Sequence, residues 1–152
     1  MLRQQLNDAL KAAMLGKDAR SVSTIRLILA ALKDRDIAAR PKGLPDGIGE
    51  DEIRQMLQSM IKQRRESITL YQQGNRPELA QQEADEIVII EKFLPRQMSD
   101  DEIAAAVKAA IVGAGATGLK DMGKVMTILK DGHAGQMDFT KASAAVKKEL
   151  GG

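Results

Sequence analysis

The sequence predicts an all-α protein built from two helical parts. Every apolar stretch repeats with a spacing of three or four residues, and no stretch alternates apolar and polar residues as a strand does. Prolines and glycines divide the chain into segments of helix length. We therefore expect an N-terminal four-helix subdomain over residues 1–95, with a long antiparallel helix pair, and a small C-terminal three-helix bundle over residues 96–152.

The N-terminal part is predicted to hold four helices. Gly16 marks the end of the first helix, whose apolar stripe is Leu2, Leu6, Leu10 and Met14. Acidic residues at the start of the third helix suit the positive end of its dipole, and Pro77 suits the first position of the fourth. The second to fourth helices are expected at about 19–40, at about 50–73, and from Pro77 to the Phe-Leu-Pro sequence at 93–95.

The C-terminal part begins with a capping box. Ser99 is expected to cap a helix, and Glu102, three residues later, to reach back to the cap. This cap and the preceding Pro95 mark the domain boundary. Asp138 is expected to cap the last helix. The three predicted helices cover about 100–112, 119–131 and 139–150.

Composition excludes several classes of function. The chain has no cysteine, which rules out disulfides, thiolate zinc sites and thiol nucleophiles. Aromatic residues make up 2%, too few for a surface that stacks nucleic-acid bases. His133 is the only histidine and is expected in a loop, so no metal site is predicted. No signal peptide and no run of about 20 apolar residues is present, which predicts a cytoplasmic protein without a membrane partner.

Charge is distributed unevenly along the chain. Residues 1–40 hold eight Lys and Arg against four Asp and Glu, and residues 41–102 hold eight against thirteen. Residues 103–152 hold seven lysines against four acidic residues, although the net charge of the whole chain is only +2. The two basic ends would suit an anionic partner.

The segment GLKDMGKVM, residues 118–126, is one residue short of a phosphate-binding loop. Val125 stands where the Ser or Thr that binds magnesium should be. The preceding segment is a capped, alanine-rich helix and not the strand that such a loop follows. We therefore expect no nucleotide cofactor.

The same segment is better explained as a helix. A helical projection places the apolar residues Leu119, Met122, Met126 and Leu129 on an inward face. Lys120 and Lys124 lie on an outward face, and Gly123 lies at the border. A glycine inside a helix costs about 1 kcal/mol relative to alanine. We expect a close approach at Gly123, either of a neighbouring helix or of a ligand backbone.

Arg64 lies in the middle of the apolar stripe of the third helix. Glu83 holds the same position on the fourth helix, and the turn near Asn75 would make the two helices antiparallel. Arg64 lies 11 residues before Asn75, and Glu86 lies 11 residues after it. We predict that Arg64 pairs with Glu83, Glu86 or both. A structural ion pair is expected here and not a catalytic arginine, and no catalytic residue is assigned.

Lysines of the C-terminal part form a candidate phosphate-binding patch. Such a patch would bind an RNA backbone without reading its sequence. The alternative is that these lysines only keep the surface soluble. The candidate residues are Lys120, Lys124, Lys141, Lys147 and Lys148.

Three stretches of the chain resemble the YqeY-type proteins of the GatB/YqeY family. They are EIVIIEKFLPRQMSDDEI (86–103), KDMGKVMTIL (120–129) and GQMDFTKASAAVKKEL (135–150). RLILAALKDRDI (26–37) and IKQRRESITLYQQGNRPELAQQE (61–83) match the N-terminal part of the family, so the resemblance covers essentially the whole chain. The family is similar to the C-terminal tail of GatB, which is part of the glutamine-dependent tRNA amidotransferase. The resemblance implies a contact with the elbow of tRNA and no chemistry of its own.

Carried over by position, the motif of that tail falls on glycines, lysines and apolar residues. The resemblance implies that Lys124 and Lys147 contact RNA and that the apolar residues belong to the core. The residues expected to be structural are Gly123, Met122, Val125, Met126, Gly135 and Leu150.

The resulting expectation is a non-catalytic tRNA- or RNA-binding accessory protein without a cofactor. The alternative is a protein-interaction adaptor that docks on an aminoacyl-tRNA synthetase or an amidotransferase. A third interpretation is carbon–nitrogen ligase activity with glutamine as amido donor. That activity would need partner subunits, because its catalytic residues are not in this sequence.

Overall fold

The structure is a computed structural model that describes residues 1–151. This part of the chain forms seven α-helices and two short 3-10 helices and contains no strand, so the predicted all-α class is confirmed. The α-helices are α1 (Leu2–Leu15), α2 (Ala19–Ala39), α3 (Glu50–Gln73), α4 (Pro77–Glu91), α5 (Asp100–Ala114), α6 (Met122–His133) and α7 (Phe139–Gly151). The 3-10 helices are Arg40–Lys42 and Leu119–Asp121.

The chain divides into two compact units, Met1–Pro95 and Arg96–Gly152. The N-terminal unit contains α1 to α4 and has one apolar core, to which all four helices contribute. Removing this apolar surface from water is the main driving force for its folding. The side chains at the centre of this core are Leu6, Ile28, Ile53, Met56, Leu57 and Ile90.

The C-terminal unit contains α5 to α7 around a core of its own. The segment before α5 is tied to the loop before α7 by two hydrogen bonds. Met98 N donates to Gln136 O at 2.9 Å, and Gln97 Nε2 donates to Gly135 O at 2.7 Å. Gly135 has a φ of +78°, a conformation that favours glycine. The largest fully buried core side chains are Val107, Val125, Leu129, Met137 and Val146.

Three helix starts are capped by side chains. The predicted capping box is present, because Glu102 N donates to Ser99 Oγ and Ser99 N donates to Glu102 Oε1, each at 3.2 Å. Asp138 caps α7 as predicted and accepts hydrogen bonds from the backbone of Thr140 and Lys141. Asp18 caps α2 by accepting from Ser21 N at 3.1 Å, a cap that the sequence analysis missed.

Within residues 1–151, three α-helices are followed by a residue whose φ lies between 55° and 62°, in the left-handed region. This residue has a φ of 55° in Lys17 after α1, 56° in Asn75 after α3 and 62° in Gly115 after α5. After α1, Lys17 N donates to Met14 O at 3.2 Å and Asp18 N donates to Ala13 O at 3.0 Å, as in a Schellman motif. Glycine and asparagine tolerate this conformation, whereas lysine does so at a cost.

Several predicted helix limits differ from the observed ones. The fourth helix ends at Glu91 and not at 93–95, since the following residues form single turns. His133 is the last residue of α6 and not a loop residue. The apolar stripe of α1 is only partly buried, because Leu2 and Leu6 lie in the core while Met14 is 52% exposed.

Candidate nucleic-acid interface

The segment that holds Lys120 begins with a hydrogen-bonded turn. The Asp121 carboxylate accepts a hydrogen bond from Thr117 N at 3.0 Å and so holds the residues before α6 in place. That hydrogen bond lowers the pKa of Asp121 against the opposing effect of desolvation. The backbone of Gly118 and the nearby charges of Lys120 and Lys124 lower it further. Asp121 is therefore a structural anion between two lysines.

The inward face of this segment differs from the predicted one. Val125 and Leu129 are fully buried, and Met122 and Met126 pack against the same core while remaining partly exposed. Leu119 was predicted to face inward, but it is 51% exposed. Residues 119–121 form a 3-10 turn, with about 120° per residue in place of 100°, so Leu119 is out of phase with α6.

Gly123 lies in the first turn of α6 with its backbone open to solvent. A Cβ atom added there would meet no other atom within 4 Å. The prediction that a neighbouring helix approaches Gly123 is therefore wrong for the described part of the chain. The approach of a ligand backbone stays a prediction.

Four of the five predicted lysines are exposed and form no ion pair within residues 1–151. They are Lys120, Lys124, Lys147 and Lys148. A Cβ atom added to Gly151 would lie 3.6 Å from the Leu119 side chain, which places the end of α7 beside the 3-10 turn. Lys147 and Lys148, one turn before Gly151, therefore lie at the same end of the unit as Lys120.

Lys141 does not belong to this group. Its Nζ atom lies 3.1 Å from Asp100 Oδ1, in an exposed ion pair between the starts of α7 and α5. Lys141 is seven residues before Lys148, a distance of about 10 Å along the helix axis. The predicted five-lysine patch is therefore reduced to the four remaining lysines.

Arg64 lies between two carboxylates inside the N-terminal unit. Its Nε atom is 3.0 Å from Glu86 Oε2 and 4.0 Å from Glu83 Oε2, and its side chain is only 12% exposed. Its Nη1 donates to Met60 O at 3.3 Å. Burial and the nearby charge of Glu86 raise the pKa of Glu83, and the opposing effect of Arg64 is smaller. The structure thus brings the three predicted residues together in a partly enclosed cluster.

An apolar groove in the N-terminal unit was not predicted from the sequence. It has a volume of about 760 Å³ and lies between the end of α1 and the start of α2. A signal for it was present in Leu27, which is apolar but does not share the buried stripe of α2. The groove is lined by Met14, Lys17, Ala19, Val22, Ser23, Arg26 and Leu27.

The sequence profile of the family described as "Yqey-like protein" matches residues 3–150. The chain belongs to this family. Curated relatives include proteins named "Altered inheritance of mitochondria protein 41, mitochondrial". The relative from Kluyveromyces lactis is 34% identical over 88 residues, which are 58% of this chain and 45% of the relative. The relative from Eremothecium gossypii is 34% identical over 106 residues, which are 68% of this chain and 56% of the relative.

The chain spans about half the length of the curated relatives that it matches. These relatives are named as mitochondrial proteins, and this finding overturns the predicted cytoplasmic location. Within residues 1–151, no single helix is long and apolar enough to cross a membrane. One pair of segments, Asp100–Ala114 and Leu119–His133, reaches that length and composition together with a bend of 95°.

Proposed function

We propose that this member of the family is a non-catalytic accessory protein that binds tRNA or a similarly folded RNA. The observation that carries the proposal is the group of four exposed lysines at one end of the C-terminal unit, which form no ion pair within residues 1–151, together with the open backbone of Gly123 between Lys120 and Lys124. Lysine side chains bind phosphates as point charges, and a glycine lets a second backbone approach closely.

The similarity of the family to the tail of the amidotransferase supports this proposal. On that similarity, the C-terminal unit would correspond to the three-helix part of the tail, and Lys124 and Lys147 would be contact residues. Phosphate contacts without aromatic stacking give binding that is independent of RNA sequence and sensitive to salt.

A filter-binding assay with bulk tRNA across a salt series tests the proposal. Replacing Lys120 and Lys124 together with glutamine should weaken binding at least tenfold at low salt. The slope of log K against log salt should fall by about 0.7 to 0.9 for each lost phosphate contact. A weaker affinity at a single salt concentration would not distinguish the loss of a phosphate contact from a general effect of net charge.

A matched variant controls for net charge. Replacing Lys108 and Lys141 with glutamine also removes two positive charges from the C-terminal unit, at positions outside the four-lysine group. We expect this variant to bind tRNA nearly as well as the unmodified protein. Equal losses in the two variants, or no binding at low salt, would contradict the proposal.

A second candidate function is that of a protein-interaction adaptor, for example for an aminoacyl-tRNA synthetase or an amidotransferase. The apolar groove of the N-terminal unit favours it, because RNA binding does not require such a surface. The test is a pull-down with purified candidate partners after nuclease treatment. Loss of the complex on nuclease treatment would show that RNA, and not a direct protein contact, holds it together.

A further inference from the structure

Helix α2 carries apolar side chains beyond those of its buried face. Its buried face includes Ile25, Ile28 and Leu32, which are at most 4% exposed. Outside this face, Val22 and Leu27 line the groove, and Leu27 is 50% exposed. Within the described residues, only the buried face is covered.

The lining of the groove is mostly apolar and includes two cations. Met14 lines the groove and is 52% exposed. Lys17 and Arg26 line the groove, and neither forms an ion pair within residues 1–151. The nearby carboxylate of Asp18 is occupied, because it accepts from Ser21 N at 3.1 Å and from Ser21 Oγ at 2.6 Å. The two cations are therefore free to meet negative charge on a ligand.

The backbone of Lys17 gives a second, independent indication. Lys17 occupies a left-handed position that Asn75 and Gly115 occupy at the equivalent helix ends. A lysine in this conformation costs stability that glycine would not. Strain of this kind is typical of functional positions. The lysine lies at the edge of the groove, where its charge would contact a ligand.

We propose that this groove binds an amphipathic helix of a partner protein. The partner helix would present apolar side chains three and four residues apart to Met14, Val22 and Leu27. Its flanks would carry Asp or Glu toward Lys17 and Arg26. This inference rests on the second candidate function and specifies the chemistry of its partner. It does not depend on RNA binding, for which the groove offers no aromatic side chain and too few cations.

A pair of synthetic peptides serves as the probe. Both are helices of about five turns with leucine at helical spacing on one face. One carries glutamate on its flanks and the other carries lysine at the same positions. Fluorescence anisotropy with the full chain should show binding of the glutamate peptide and at least tenfold weaker binding of the lysine peptide.

Two substitutions locate the binding in the groove. Leu27→Glu should weaken binding of the glutamate peptide at least tenfold, and its control is Leu70→Glu, the same change at a leucine that is 66% exposed on α3. Lys17→Gly should weaken binding severalfold while leaving the melting temperature equal or higher. A purely structural role of Lys17 would not separate binding from stability in this way.

Other occupants are separate outcomes that would overturn the proposal. Self-association that is lost in Leu27→Glu would assign the groove to a second copy of the chain. Co-sedimentation with phosphatidylglycerol vesicles that is lost in Leu27→Glu would assign it to a lipid surface, and displacement of the peptide by tRNA would assign it to nucleic acid. Equal binding of both peptides, or of the glutamate peptide by Leu27→Glu and Leu70→Glu, would also refute it.

A variant that lacks Lys120 and Lys124 separates this inference from the RNA proposal. It should bind the glutamate peptide as tightly as the unmodified protein, even where its tRNA binding is lost. Normal tRNA binding by Leu27→Glu would complete the separation. A peptide affinity that falls with the two lysines would place the peptide in the C-terminal unit and overturn the proposal.

Discussion

Basic side chains of the two units differ in burial and in ion pairing. Arg64 of the N-terminal unit is largely enclosed and has two carboxylates within 4.0 Å. Lys120 and Lys124 of the C-terminal unit are exposed, and Asp121 between them already accepts hydrogen bonds from the backbone. Both patterns appear in the sequence as basic residues on helices. The first charge is enclosed beside two carboxylates, whereas the second faces solvent.

The largest expected effect comes from removing the enclosed charge. Arg64→Ala should lower the free energy of unfolding of the N-terminal unit by about 2 to 4 kcal/mol, because it leaves Glu83 and Glu86 close together without a cation. Urea denaturation of the full chain, followed by the NMR signals of backbone amides in α3 and α4, measures this loss.

The control is the neighbouring exposed pair of Arg65 and Glu91. Arg65 Nη2 lies 3.5 Å from Glu91 Oε1, but the two side chains are 58% and 42% exposed. Arg65→Ala should therefore cost less than about 1 kcal/mol. Similar losses for the two arginines would show that enclosure does not distinguish Arg64.

The sequence predicted the local features of the fold and missed those that depend on tertiary contacts. The helices and the Ser99–Glu102 box follow from periodicity and from side chains three residues apart, so they could be predicted. The exposed position of Leu119 could not be predicted in this way. A helical projection assumes one constant rotation per residue, and a 3-10 turn interrupts it. The open space at Gly123 depends on where the neighbouring helices pass, which no local pattern states.

The candidate site was predicted unevenly for the same reason. Exposed lysines at helical spacing were identified, but the pairing of Lys141 with Asp100 joins residues 41 positions apart. The apolar groove was not predicted, because the apolar stripe of α1 continues in the sequence as far as Met14 and was expected to be buried along its whole length. Its last turn is in fact left uncovered by the rest of the unit.

A smaller change in stability is expected at Gly123. Gly123→Ala should raise the free energy of unfolding by about 0.5 to 1 kcal/mol, since the helix favours alanine and nothing lies within 4 Å of the new methyl group. If a ligand backbone approaches this position, the same change should weaken tRNA binding. Thermal denaturation and filter binding of one variant test both effects.

Gly113→Ala is the matched control for that substitution. Gly113 also lies in a helix of the C-terminal unit with open space around its Cβ position. The Gly113→Ala variant should be more stable than the unmodified protein and should bind tRNA equally well. Unchanged tRNA binding by Gly123→Ala would remove Gly123 from the proposed interface and leave only the lysines.

The smallest effects concern two carboxylates whose pKa values shift in opposite directions. Burial raises the pKa of Glu83, so its ionised form opposes folding, and Glu83→Gln should stabilise the N-terminal unit at neutral pH. This gain should shrink as the pH falls through the pKa of the folded state. Hydrogen exchange of amides in α4 measures it.

Glu102 should behave in the opposite way. The Arg96 guanidinium and the Ser99 cap lower the pKa of Glu102 from 4.5 to about 2, so its ionised form favours folding. That contribution is complete above about pH 5 and is lost as the pH falls from 4.5 toward 2. Glu102→Gln should therefore lower the exchange protection of α5 amides at neutral pH, with a difference that disappears near pH 2. Because Arg96 is 78% exposed, salt should reduce the effect, and a loss that persists unchanged at pH 2 would show that the cap and not the charge carries it.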